Sequence, residues 1–268
     1  MLSNRLAKQG GRRIREDVLE RDYCLAWFLA ALGESDLRTS LALKGGTALK
    51  RCYFGDYRFS EDLDFTLLEA NPFDDILRRM ERVYEAVRES SGIVFAFDRE
   101  DRQTHANSYT FYLSYTGPLP VGNDVKVDIT VRERLVFPVE QRLLLRGYDE
   151  FTDLPEDRRV QAYSLQEIVV EKIIALADPA RNEPRDLYDL WYLTTNEAIE
   201  IDHLADPIRR KLEFRERPFA DLEDAILGKG ARLKALWSRR LAYQMSTLPP
   251  FDEVFRSLRR TLRRSNLP

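Results

Sequence analysis

The sequence predicts an α/β fold with a mixed sheet and helices, followed by a helical C-terminal region. Two observations predict it. Short β-branched or aromatic runs alternate with strongly periodic helical stretches up to about residue 150, and beyond Ser164 only helical periodicity remains. A length of 268 residues suits one large domain or two modest ones. The change of pattern divides the chain into an α/β domain over residues 1–160 and a helical domain over residues 161–268.

Taken in order, residues 13–32 place Ile14, Val18, Leu19, Leu25, Phe28 and Leu29 at helical spacing, which predicts a covering helix. Residues 41–44 read as a short strand, Gly45-Gly46 as a turn, and residues 47–53 as a helix with Thr47 at its cap. A strand over residues 62–68 and a periodic helix over residues 73–90 follow. Residues 93–97, 108–115 and 124–132 then read as strands, separated by Gly-Pro and Gly-Asn turns. Residues 165–177, 184–194 and stretches between 202 and 265 are predicted helices.

Composition narrows the class. Apolar residues make up 44% and charged residues 32%, which excludes disorder and collagen-like repeats. The formal charge of -3 argues against a nucleic-acid partner only until it is divided. Residues 229–268 hold ten Lys or Arg and two acids, a charge of +8, which leaves -11 for residues 1–228. Two cysteines, Cys24 and Cys52, form no disulfide framework or zinc spacing. No apolar run has the length of a membrane span and the N-terminus lacks a signal-peptide core, so a cytoplasmic protein is expected. His105 and His203 are the only histidines, so any metal is expected to be a hard cation on carboxylates.

Asp62-Leu63-Asp64 offers such carboxylates, because an extended backbone puts Asp62 and Asp64 on one face and Leu63, Phe65 and Leu67 on the other. The tripeptide alone is weak, since 23 aspartates produce about two Asp-x-Asp pairs by chance and a solvated strand face explains one equally well. Strict alternation over residues 125–131 places Asp128 opposite β-branched core positions. If the two strands are neighbours, Asp62, Asp64 and Asp128 converge on a site for Mg2+ or Mn2+; the alternative for Asp128 is an exposed residue paired with Lys126 or Arg132. Gly45-Gly46-Thr47 before a helix presents backbone N–H groups to phosphate, although it lacks the Gly-Lys-Ser/Thr ending of a P-loop and also reads as an ordinary turn.

Gly45 to Phe65 forms a composite motif, G-G-T-A-L…Y…R-x-S-x-D-L-D-F, in which 15 residues separate Gly46 from Asp62. It resembles the AbiEii/AbiGii-type toxin family of nucleotidyltransferases of type IV toxin-antitoxin systems. Lys172, Ala175, Arg181 and the run Arg185-Asp186-Leu187-Tyr188-Asp189-Leu190 resemble that family's second element, K-x-x-A…R…R-D-x-Y-D-L. The resemblance implies a nucleotidyltransferase-type core, a helical region and a nucleotide cleft between them. It further implies transfer of nucleotides from NTP to RNA, with the 3′ acceptor end of tRNA as substrate, and a cognate antitoxin. In that scheme Gly45, Gly46 and Thr47 hold the triphosphate and Ser60 adds a hydroxyl. Asp62 and Asp64 bind the metal, and Asp128 completes its site or takes the proton of the attacking hydroxyl. Lys172 and Arg58 offset phosphate charge, Arg181 contacts nucleotide, and Asp189 orients Lys172 or the nucleotide.

Taken from the residues alone, Lys172 also reads as a snorkelling lysine and Asp186 as an acid favoured by the helix N-terminus. Arg256, Arg260, Arg263 and Arg264 share a helix face suited to RNA phosphates or to plain solvation. Two other functions stay open. A nucleotidyltransferase acting on a small molecule such as an antibiotic has no use for the basic tail, and a catalytically silent NTP or RNA binder shows no metal-dependent turnover.

Overall fold

The structure, a computed structural model, describes residues 2–8, 12–101, 107–265 and 267–268; His105 lies outside them. The chain divides into two compact units. The first comprises the N-terminal helix α1 (Leu2–Lys8), Arg13–Glu133 and Val139–Tyr163; the second comprises Arg134–Pro138 and Ser164–Pro268.

The first unit is built on one mixed sheet of seven strands among the described residues: β1 (Leu41–Lys44), β2 (Leu63–Leu67), β3 (Val94–Glu100), β4 (Ser108–Thr116), β5 (Asn123–Thr130), β6 (Val139–Leu143) and β7 (Arg159–Tyr163). Their spatial order is β3-β4-β5-β2-β1-β7-β6. β2 runs parallel to β5 and β1 parallel to β7, and the other neighbours are antiparallel. Alternation fixes the faces. Leu41, Leu43, Leu63, Phe65, Val125, Val127 and Ile129 are buried, whereas Lys44, Asp64, Asp128 and Thr130 are only half-buried. The apolar face is covered by α2 (Glu16–Glu34) and α4 (Phe73–Ser91), with Phe28 of α2 packed against Tyr84 of α4 and Phe95 of β3.

Three elements depart from the sequence reading. β6 and β7 are additional to it, because Arg159-Val-Gln-Ala-Tyr163 is buried on both sides at its end, where the Tyr163 hydroxyl meets Thr66 Oγ1 at 2.5 Å, and so lacks a clean alternation. The helix after the glycines starts earlier than residue 47. Helix α3 (Gly45–Ala48) is capped by Lys44 in extended conformation and continues as a π-helix over Leu49–Tyr53. Thr47 therefore is not the cap; its hydroxyl lies inside the first turn and donates to the Asp62 carbonyl at 2.5 Å.

The second unit is helical: α5 (Leu165–Ala177), α6 (Pro184–Asn196), α7 (Ala205–Phe214), α8 (Leu222–Leu227), α9 (Gly230–Leu241) and α10 (Phe251–Arg264). Ser164 caps α5 by accepting from the Glu167 amide, and Pro184 occupies the first turn of α6, where its missing N–H costs nothing. Along α10, Phe251, Val254, Leu258 and Leu262 are buried at helical spacing, which leaves Arg256, Arg259, Arg260, Arg263 and Arg264 exposed.

Candidate active site

The glycine turn of the first unit is shaped by what a side chain there would strike. Gly45 has φ +70°, a conformation that strains any residue with a Cβ, and a Cβ on it would lie 2.8 Å from Asp64 Oδ2. At Gly46 a Cβ would lie 2.8 Å from Arg58 Nη2 and 3.0 Å from Ser60 Oγ. Together with the bond from Thr47 to the Asp62 carbonyl, these approaches gather Gly45, Gly46, Thr47, Arg58, Ser60, Asp62 and Asp64 around one turn. Arg58 is buried; its guanidinium donates to the Phe59 carbonyl at 3.3 Å and stands 5.8 Å from the Tyr57 ring.

Register adds the third carboxylate. Asp64 is the direct partner of Asp128 across the parallel β2–β5 pair, just as the inward-facing Leu63 is the partner of Val127. Neighbouring strands lie about 4.8 Å apart, so the two carboxylates emerge side by side on the face away from the helices. Thr110, opposite Asp128 on β4, donates to Asp128 Oδ2 at 2.9 Å. Lys44, opposite Asp64 on β1, donates to Thr130 Oγ1 at 2.6 Å. Neither Thr110 nor Lys44 stands out in the sequence, since only the register reveals that they border the acids.

Half-buried carboxylate oxygens in adjacent register, beside a turn stripped of Cβ atoms, suit a hard divalent cation. Asp62, Asp64 and Asp128 are the residues that would hold it. Their ligand atoms are more widely spaced than those of Glu200, Asp202 and His203, the one trio among the described residues with all ligand atoms within 4.8 Å. That trio is fully exposed, and His203 is paired there with Glu200 at 2.8 Å.

In the second unit the family-like residues form an ion cluster around two buried carboxylates. Lys172 of α5 meets Asp186 Oδ1 and Asp189 Oδ2, each at 2.7 Å, and Arg181 Nε meets Asp186 Oδ2 at 2.6 Å. Asp186 and Asp189 are essentially inaccessible, and the i, i+3 spacing on α6 turns both toward α5. Burial alone would raise the Asp186 carboxyl, but Lys172 and Arg181 overcome it and hold the group well below the usual carboxylate range. Asp186 is thus more than an acid at a helix N-terminus, and Lys172 is enclosed rather than snorkelling. Lys229 fastens the segment that carries Arg181, donating to the carbonyls of Leu176 at 2.6 Å and Arg181 at 2.8 Å.

Comparison with known proteins identifies the family of the chain. Residues 27–257 match the family described as nucleotidyl transferase AbiEii toxin, type IV TA system. Curated protein sequences include no match. Among solved structures, the fold is similar to MenT4, a nucleotidyltransferase toxin from Mycobacterium tuberculosis H37Rv, with a TM-score of 0.62 and 18% identity over 92% of this chain and 82% of that one. Among the described residues no helix is long and apolar enough to cross a membrane. With its matching region spanning most of the chain, the protein belongs to the AbiEii family of nucleotidyltransferase toxins of type IV toxin-antitoxin systems.

Proposed function

We propose that the protein transfers nucleotides from an NTP to RNA, with the 3′ acceptor end of tRNA as the substrate, in the cytoplasm and under the control of a cognate antitoxin. The observation that carries this reading is the convergence of the Gly45-Gly46 turn with Arg58, Ser60 and Asp64, beside the Asp64–Asp128 register pair. Residues 1–160 act as the nucleotidyltransferase domain, and residues 161–268 carry Lys172, Arg181 and Asp189.

Asp62, Asp64 and Asp128 hold Mg2+ or Mn2+, which when bound lowers the charge of the triphosphate and favours ionisation of the attacking hydroxyl. The turn at Gly45, Gly46 and Thr47 receives the triphosphate through backbone N–H groups, and Ser60 adds its hydroxyl. Arg58 offsets charge that develops on the phosphate oxygens as the RNA 3′-oxygen bonds to the α-phosphorus and pyrophosphate departs. Asp128, oriented by Thr110, either completes the metal site or takes the proton of that hydroxyl. Asp189, with Asp186, orients the Lys172 ammonium. The arginines of α10 suit the RNA backbone.

Incubation with total RNA and each labelled NTP in Mg2+, followed by sequencing of labelled 3′ ends, tests the proposal. Label on tRNA 3′ ends supports it. Label on small acceptors alone, or no label with any NTP, overturns it.

A further inference from the structure

Lys50 lies in the π-helix that continues from the glycine turn, and its side chain is almost inaccessible at 1% exposure. A buried lysine is costly unless its charge is compensated. Here all three ammonium hydrogens are used without a carboxylate: Nζ donates to the carbonyls of Gly55 at 3.0 Å and Tyr57 at 3.3 Å and to the Tyr148 hydroxyl at 3.3 Å. The rings of Phe59 and Tyr148 flank it, with centroids 4.6 and 4.8 Å away. Both accepting carbonyls belong to the segment that leads into Arg58 and Ser60, whose side chains pack on Gly46.

We propose that Lys50 is a positioning residue, which ties the segment carrying Arg58 and Ser60 to the helix that begins at the glycine turn and so sets the shape of the nucleotide site. The proposal rests on the nucleotide-binding reading of that turn. Methionine at position 50 leaves the two carbonyls without their donor, and the segment is then free to draw Arg58 away from Gly46. Deprotonation loosens the tether less, because the neutral amine keeps two N–H groups for the carbonyls and loses only the charge that strengthens those bonds and the contact with the two rings. Burial lowers the Lys50 ammonium to about 8, Arg51 adds to the fall, and Asp22 on α2 and Asp56 in the loop oppose it. The Tyr148 phenol is pushed up by burial and keeps its proton in that window. Because the folded value lies below the ordinary one, the unfolded chain holds more protons between about pH 8 and 10.5, so Lys50 adds to global stability as pH rises there while nucleotide affinity falls.

The test uses the full-length protein without RNA, with labelled ATP, GTP, CTP and UTP in turn as probes. The dissociation constant of the parent is expected to rise about threefold between about pH 7 and about pH 9.5, with a midpoint near 8. Lys50→Met is expected to start about tenfold weaker and to show no such profile. Tyr148→Phe, which keeps the ring and removes one acceptor, is expected to move the midpoint to lower pH and remains informative if Lys50→Met fails to fold. Trypsin cleavage after Arg58 reports the tether without nucleotide and is expected to be faster in Lys50→Met. A flat profile in the parent, or parental affinity and protease resistance in Lys50→Met, overturns the proposal. Absence of NTP binding at every pH, with cleavage at Arg58 still dependent on Lys50, instead sinks the nucleotide-site reading and leaves the tether standing.

Discussion

The two units handle their charged residues in opposite ways. On the sheet, Asp64 and Asp128 stand side by side in register, half-buried, and Asp128 accepts from a neutral threonine. In the helical unit, Lys172 and Arg181 face Asp186 and Asp189 in a cluster where the charges balance and the acids are closed to solvent. Like charges at neighbouring strand positions destabilise a fold, whereas opposite charges in a satisfied buried network hold one together. The first arrangement makes sense as a place to receive a cation, and the second as a frame that fixes the direction of Lys172.

Substitution in each region separates the two roles. Asp64→Ala is expected to lower nucleotide transfer by roughly three orders of magnitude, about 4 kcal/mol of transition-state stabilisation. Stability is expected to hold or to rise slightly, because the repulsion between Asp64 and Asp128 disappears. Transfer assays with a thermal melt check this, and full activity defeats the metal reading. Lys172→Met has the reverse stability signature. It leaves two inaccessible carboxylates without their shared cation and is expected to cost about 3–5 kcal/mol in denaturant unfolding. The acid limb follows from the same cluster: a depressed Asp186 value contributes stability above the unfolded-state value of 3.8, and that stability is lost as pH falls through the folded value. The parent is therefore expected to lose this contribution below about pH 4, and Arg181→Gln to lose less on acidification, having less to begin with.

A smaller effect is expected at the turn itself. Gly46→Ala places a methyl group 2.8 Å from Arg58 Nη2, and Arg58 is buried and unable to swing into solvent. Overpacking of this kind costs about 1–3 kcal/mol, and displacement of Arg58 and Ser60 is expected to raise the KM for NTP about tenfold with a lesser change in kcat. An unchanged KM would detach Gly46 from the nucleotide.

Much of the site is legible in the sequence because it is written in local periods. A strand alternates every second residue, so Asp62-Leu63-Asp64 and the run around Asp128 reveal their faces without a structure. The register that pairs Asp64 with Asp128 is not, since strand neighbours far apart in sequence are set by the whole sheet. The same limit hides Thr110 and Lys44. Asp186 is easily undervalued because its acid-at-the-helix-start signal is local, whereas the lysine it meets lies on another helix. Lys50 gives no signal at all. In the sequence it is a basic residue beside Arg51, and only the return of the chain through Gly55, Tyr57 and Tyr148 encloses it.

The smallest expected effect concerns the last helix, where charge is displayed rather than balanced. Arg256, Arg260 and Arg264 are exposed, while Glu223 reaches Arg263 at 3.9 Å. Replacing Arg256, Arg260 and Arg264 together by alanine leaves the buried stripe of Phe251, Val254, Leu258 and Leu262 intact, so each substitution is expected to change stability by no more than about 0.5 kcal/mol. RNA affinity is expected to fall, and the slope of log K against log salt to flatten by about 0.7 for every single-strand phosphate that the variant no longer neutralises. NTP binding is expected to be unchanged, because these side chains carry no part of the glycine turn or the strand aspartates. Titration of labelled RNA at several salt concentrations measures the slope, and a parental slope with parental affinity would make this face a solvated helix surface.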